Sequence, residues 1–214
     1  MLKLWGRPSA YNVQKVVWCL NEIAAPYEHV DIGGSAGGLD APAFLAKNPN
    51  GRIPLLEDGD HIVWESNTIV RYMSANCSAG VLWPEAPYAR SCADRWMDWE
   101  AATFQRDFMA LFWGFYRTPP ALRDAAAIAG AAARCERHLG ILDRHLALHA
   151  FVAGDAFSMG DIPVATGLYR YFNMGYPVPP LPHVGRWYAQ LSERRAYRTS
   201  IMVPFEALKG RQTY

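Results

Sequence analysis

Pro54 constrains this chain more than any other residue. It opens the apolar run Pro54-Leu55-Leu56, in a region that otherwise reads as a small layer of strands. Within a sheet, proline is confined to the first residue of a strand, to an edge or to a bulge. Ile53 is β-branched, and Asn48-Pro49-Asn50-Gly51-Arg52 before it is a glycine-containing turn. Two readings follow. Pro54 is an ordinary edge-strand proline, or it follows a cis peptide. The second reading turns the Ile53 N–H and C=O outward, free to pair with an extended peptide as an added strand.

A few residues on comes Trp64-Glu65-Ser66-Asn67-Thr68-Ile69, where a strand ends and a helix begins. Free N–H groups and the positive end of a helix dipole favour an anion at such a point. Ser66 can offer its hydroxyl and its N–H to a carboxylate, and Glu65 can accept from an ammonium. Together they suit an α-amino acid end. The plain alternative is that Ser66 or Asn67 simply caps the helix.

The order of elements gives these residues a setting. Leu2-Lys3-Leu4-Trp5 reads as a strand and Gly6-Arg7-Pro8-Ser9-Ala10-Tyr11 as a loop. Val13, Val16, Val17, Leu20 and Ile23 then fall at helical spacing, with Asn12 as the expected N-cap. Residues 27–32 form a second strand, parallel to the first because a helix crosses between them. A glycine-rich loop and a short helix over residues 42–47 follow. Residues 54–56 and 61–64 are strands joined through Asp58-Gly59, a hairpin signal. Ile69, Tyr72 and Met73 mark one face of a helix. The first 76 residues thus read βαβ, then ββα. Residues 77–88 hold two prolines and a glycine and read as a linker.

From residue 89 to 214 no strand is expected. Residues 89–115 form a long helix that Thr118-Pro119-Pro120 breaks. Phe104, Phe108 and Phe112 lie on one stripe of it, while Trp99 and Trp113 lie off the stripe. Such stripes are more often core than pocket, but a helix apolar on more than one side needs a second surface to cover it, a subunit or a ligand. Residues 122–149 are helical, with Ile128, Ala132, Cys135, Leu139 and Leu142 on one side. Ser158-Met159-Gly160-Asp161 has capping-box spacing with Asp in the Glu position, and its helix is expected to reach Tyr171. Residues 183–191 form a further helix.

The totals exclude several classes. The chain has 214 residues, 51% hydrophobic and 19% charged, enough apolar material for a packed core. A net charge of +1 without a basic stripe argues against a nucleic-acid binder. Cys19, Cys77, Cys92 and Cys135 show no CxxC pair and no zinc-like spacing. No run approaches the roughly 18 apolar residues of a membrane span. The first residues turn at once to Arg7-Pro8, so no secretory leader is expected, and free thiols point to the cytoplasm. Gly33 to Gly38 lacks the spacing of a dinucleotide or phosphate loop, and His145 with His149 lacks the neighbouring Glu and third ligand of a zinc site. No metal is expected.

One hydroxyl remains. Ser9 lies just before a helix N-terminus, where it can hold a thiolate or oxyanion by a charge-assisted hydrogen bond. No His-Asp pair can be placed beside it for a hydrolase-type nucleophile. Tyr11 and Asn12 are nearby donors open to the same role, and a plain turn serine is the alternative.

Taken together, NP-x-G-x-IP over residues 48–54 and ES-x-TI-x-x-Y over residues 65–72, ahead of an all-helical half, resemble the cytosolic glutathione transferases. Gly6-Arg7-Pro8-Ser9 and Asn12-Val13-Gln14-Lys15-Val16-x-Trp18 look most like bacterial theta-like members. The resemblance implies an α/β thioredoxin-like domain over residues 1–76 and an all-α domain over residues 89–214 that supplies a hydrophobic substrate site, for which Phe104, Phe108 and Phe112 are the expected lining. It implies a cis Pro54. It also implies glutathione, as co-substrate, held by Arg52, Ile53, Pro54, Glu65 and Ser66, with Ser9 on the thiolate. The expected reaction is conjugation to a small hydrophobic electrophile by a homodimer. A glutathione-dependent disulfide reductase or peroxidase, or a non-catalytic binding module of the same fold, are the alternatives. Ala10 stands where beta-type members carry a catalytic cysteine, so that chemistry is not expected.

Overall fold

The computed structural model describes residues 1–78 and 80–213. Ala79 of the expected linker and Tyr214 of the expected helical domain lie outside the described residues. The first unit runs β1 (Leu2–Trp5), α1 (Tyr11–Glu22), β2 (Tyr27–Val30), α2 (Pro42–Leu45), β3 (Leu55–Asp58), β4 (His61–Trp64) and α3 (Ser66–Cys77). Its sheet has the order β2-β1-β3-β4. β1 and β2 are parallel, as a helical crossover requires, and the other pairs are antiparallel. Gly59, at φ 60°, makes the hairpin turn that Asp-Gly foretells.

Two local expectations need correction. Asn12 does not cap α1, which starts at Tyr11 with Ala10 at the cap position and no side-chain bond there. Backbone alone starts this helix: the Ala10 N–H donates to the Arg7 carbonyl, and the Ala10 carbonyl accepts from Gln14. Nor do Ser66 or Asn67 cap α3. Both lie inside its first turn, Glu65 occupies the cap, and no side chain bonds there.

The second unit is helical: α4 (Pro87–Trp99), α5 (Gln105–Leu111), α6 (Ala125–Leu146), α7 (Asp161–Thr166), α8 (Leu168–Asn173), α9 (Pro182–Ser192) and α10 (Arg195–Ser200). Among its described residues the only extended pairing is an isolated bridge between Phe151 and Gly154. The aromatic helix is one rod, but with two wide π-turns, Glu100–Phe104 before α5 and Phe112–Arg117 after it. Each such turn shifts the side-chain register, and such turns recur at functional sites. The helix expected to run from Asp161 to Tyr171 is two, α7 and α8, meeting at Gly167. Asp161 reaches back as expected, accepting from the Ser158 N–H at 2.9 Å. It also accepts from Val152 N–H and from the Trp187 indole, tying three segments together.

The core passes without interruption from one unit to the other. α1 is the shared element, packed on α3 on one side and on α7 and α10 on the other. Trp18 in its middle is fully buried, edge-on to Tyr197 of α10 at 4.7 Å.

Candidate functional site

Strand register brings the three singled-out segments to one end of the sheet. Leu55 pairs with Trp64 on one side and with Trp5 on the other. One step beyond those pairs, Pro54 lies between Gly6 and Glu65. The Ile53–Pro54 peptide is cis. Among the described residues neither the N–H nor the carbonyl of Ile53 has a hydrogen-bond partner.

Gly6 is what lets the Ser9 loop lie so close. Its φ is 146°, and a Cβ there would stand 2.5 Å from Val13 Cγ2 and 3.3 Å from Ile53 Cβ. The loop is anchored to β2: Gly6 N–H donates to the Val30 carbonyl, and the His29 ring bonds the Gly6 carbonyl. Ser9 is exposed at its head.

Glu65 turns the chain from β4 into α3 at φ 68°, a conformation that costs a non-glycine residue about 1–3 kcal/mol and gathers at functional sites. Its carbonyl accepts from Ile69, while the first-turn N–H groups of Ser66, Asn67 and Thr68 have no acceptor among the described residues. Those donors stand at the positive end of a twelve-residue helix, where a negative charge is favoured. Ser66 is 6% exposed, and the Glu65 side chain is exposed.

A cleft of about 760 Å³ opens beside these segments, lined by Arg7, Gly34, Leu39, Gly51, Arg52, Ile53 and Trp113. That volume suits a small organic ligand. Of the residues singled out for glutathione, Arg52 and Ile53 are on its wall. Pro54 is buried behind it, and Ser9, Glu65 and Ser66 are not part of the lining.

Two sequence expectations fail here. Phe104, Phe108 and Phe112 do not line a pocket; they are 0%, 0% and 2% exposed. Four-residue spacing along regular α5 keeps them on one stripe, and that stripe faces the core. The three rings run along the buried side of the rod, each about one ring from the next, and Tyr11 covers Phe108 at 5.8 Å. Trp113, in the second π-turn and off that stripe, is the rod's aromatic on the cleft. Tyr11 is likewise unavailable as a thiol partner. It is buried, and its hydroxyl donates to Glu100 Oε1 at 3.0 Å. Burial, and then the Glu100 charge, push its pKa well up. Asn12 is half-buried, and among the described residues its Oδ1 has no hydrogen-bond partner.

Beneath the site lies a polar cluster that periodicity did not foretell. Lys15 and Glu100, side chains 1% and 0% exposed, meet at 2.7 Å. Gln105 accepts a second bond from Lys15 at 2.8 Å. Burial lowers the Lys15 pKa and raises that of Glu100, each offset by the other's charge. Next to it, Asn67 of α3 donates to the Met97 carbonyl of α4 at 2.8 Å, fastening the anion-ready helix end to the helical unit. Helical spacing puts Lys15 opposite Val13, Val17 and Leu20, on a face that a lone domain would leave to solvent. A further missed residue is Arg170 of α8, whose Nη2 donates to the Ser9 carbonyl at 2.8 Å. Among the described residues no group of three or more His, Cys, Asp or Glu side chains gathers as a metal site.

A four-stranded sheet with a cis-proline turn and an anion-ready helix end, backed by a helical unit, defines a class. The description of the glutathione S-transferase N-terminal domain matches residues 1–75, and that of the C-terminal domain matches residues 125–190. The chain belongs to the glutathione S-transferase family and is a transferase, the family's general reaction being conjugation of glutathione to electrophiles. Within that family it is 42% identical to glutathione S-transferase GstB of Escherichia coli K12, over 95% of this chain and 99% of that protein. It is 30% identical to glutathione S-transferase 3 of Zea mays, over 94% and 93%. The theta class glutathione S-transferase of Xanthomonas axonopodis pv. citri, solved with glutathione bound, superposes with a TM-score of 0.91 at 43% identity, covering 95% of this chain and 98% of that one.

Proposed function

We propose that this transferase holds glutathione between Ile53 and the start of α3, ionises its thiol at Ser9, and adds the thiolate to an apolar electrophile lying against Trp113. The observation that carries this reading is the pair of unpaired backbone edges at one end of the sheet. The Ile53 N–H and carbonyl sit one register step from the free donors of Ser66, Asn67 and Thr68. An extended peptide with a carboxylate end satisfies both at once. Ser66 takes that carboxylate, Glu65 takes the α-ammonium, and Arg52 flanks the chain. Residues 1–76 thus hold glutathione, and the helical unit of residues 89–214 supplies the apolar wall. The glutathione-bound relative from Xanthomonas, similar over nearly the full chain, supports the choice of peptide.

The magnitudes suffice without a metal or general base. An ordinary thiol of pKa about 8.5 is only a few per cent thiolate at pH 7. Lowering it by about two units takes roughly 2.7 kcal/mol. One charged hydrogen bond supplies about 1.5–3 kcal/mol, and the N-terminus of α1 adds a fraction more. Ser9 stands one residue before the cap of that helix. Ser9→Ala is therefore expected to raise the pKa of enzyme-bound glutathione by about one to two units and to cut turnover of a chlorinated aromatic acceptor at pH 7 about 10- to 100-fold. Unchanged turnover with an unchanged thiol pKa would remove Ser9 and leave Asn12 as the next candidate.

The proposal extends to a cytoplasmic homodimer. Ile62 and Trp64 stand exposed on the edge strand β4, and Tyr88 on α4 is exposed too, apolar surface of the kind a second copy covers. No described helix is long and apolar enough to cross a membrane.

A further inference from the structure

The Ser9 loop receives a support from the far end of the chain. Its first residue is tied to β2 through Gly6, and its turn closes with the Ala10 N–H on the Arg7 carbonyl at 3.1 Å. Between these ties, the Ser9 carbonyl accepts from Arg170 Nη2 at 2.8 Å, across 161 residues of sequence. The same nitrogen lies 2.7 Å from Gln14 Oε1 in the first turns of α1. Gln14 in turn donates to the Ser200 carbonyl at 3.3 Å. Arg170 is 5% exposed, its guanidinium 5.5 Å from the centre of the Phe112 ring.

Burying a guanidinium is costly, and an apolar side chain would fill a helix interior more cheaply. What the arginine adds is a fixed direction. One nitrogen, Nη2, is held by two acceptors and fixed in the guanidinium plane, so the donor cannot swing as an ammonium can. A peptide plane whose oxygen is fixed has fixed the torsion before it. For the Ser9–Ala10 peptide that torsion is the ψ of Ser9, which sets where its Cβ and hydroxyl can point. An exposed serine on an exposed loop otherwise samples several directions. A misplacement of about 1 Å in a reacting group costs roughly a hundredfold.

We propose that Arg170 is the positioning residue of the Ser9 loop: by holding the Ser9 carbonyl, it aims the Ser9 hydroxyl at the glutathione sulfur. This rests on the role given to Ser9 above. It makes the helical unit part of thiol activation, in addition to its wall at Trp113.

The test uses the full chain and the variants Arg170→Met, Arg170→Lys, Ser9→Ala and Ser9→Ala combined with Arg170→Lys. Two quantities are read: the pH titration of enzyme-bound glutathione thiolate by ultraviolet absorbance, and kcat/KM against pH for a chlorinated aromatic acceptor. Arg170→Met is expected to raise the bound thiol pKa by about one unit and to lower kcat/KM at neutral pH about tenfold, with recovery at high pH. The KM for glutathione should stay within about twofold, because Ile53 and the α3 end are untouched. Arg170→Lys keeps the charge but loses the donor fixed in a plane, and should fall between wild type and Arg170→Met, about threefold down. The double variant should be no worse than Ser9→Ala alone, since a residue acting through Ser9 has nothing left to position.

If Arg170→Met fails to fold, Arg170→Lys carries the decision. A folded Arg170→Lys enzyme with the wild-type pH profile overturns the proposal. So does a double variant whose losses multiply. A shifted thiol pKa in Ser9→Ala together with none in either Arg170 variant sinks the proposal and leaves Ser9 in place. No shift in Ser9→Ala removes Ser9 itself, and the positioning role with it.

Discussion

Trp113 shows how one side chain is set in place by its neighbours. The Arg117 guanidinium stacks on its ring at 3.8 Å. Arg117 in turn donates to the Arg211 and Thr213 carbonyls at 2.8 and 2.9 Å, and the Gly210 N–H closes the same segment onto Tyr116. The ring on the cleft is thus braced by the C-terminal residues through a cation–π contact. Trp113→Ala should raise the KM for an apolar acceptor about tenfold, the loss expected from exposing part of an aromatic contact. The KM for glutathione should be unchanged within about twofold. Bisubstrate kinetics measure both, and an unaltered acceptor KM would take Trp113 out of the substrate wall.

Between elements, polar side chains lock helices whose apolar faces alone would allow sliding. The plainest case joins α5 to α6. Asp107, buried on α5, accepts from Arg134 Nε at 2.9 Å and pairs with the His138 ring at 2.8 Å, both on α6. Burial alone would raise the Asp107 pKa. The bonds from His138 and Arg134 outweigh it and hold the carboxyl below its usual range. A carboxyl whose folded value is depressed adds stability above its unfolded value, and loses it as pH falls through the folded one. The unfolded value is about 3.9. Asp107→Asn should therefore cost about 1–3 kcal/mol at pH 7 by urea unfolding, with a deficit that shrinks below about pH 4. An equal deficit at pH 3 and pH 7 would mean that the charge is not what matters there. The residue pattern placed both helices and both apolar faces, but the charged pairing across them has no local signature.

At the scale of the molecule, the two units are joined by a buried ion pair as well as by apolar packing. Removing one partner of such a pair leaves an uncompensated charge and costs about 3–5 kcal/mol, whereas replacing both by apolar groups is often nearly neutral. Lys15→Met should fall in the first class. Lys15→Met combined with Glu100→Leu should regain at least half of that loss, read as urea midpoints or Tm. Strict additivity of the two single variants would deny that the pair is coupled. Glu100 sits in the first π-turn and Trp113 in the second, so the two irregular turns of one rod serve the domain junction and the cleft.

By itself the sequence determined the order of the strands and helices over the first 76 residues and the strand-to-helix junction at Glu65-Ser66; it put Pro54 at a strand start, and only the family resemblance chose the cis peptide over an ordinary edge proline. These rest on short-range chemistry: a proline at a strand start, Asp-Gly in a hairpin, a periodicity of two or of 3.6. Only the tertiary structure decided which aromatic meets the cleft: helical spacing separates Trp113 from the stripe of Phe104, Phe108 and Phe112, but which side faces the core depends on the helices packed against the rod. It also decided that Tyr11 is committed to Glu100, and that Lys15 and Arg170 are interior residues. Their partners lie 85 and 161 positions away along the chain. A charged side chain in a helix reads as solvated until the surface that covers it is known, and here that surface belongs to the other half of the molecule.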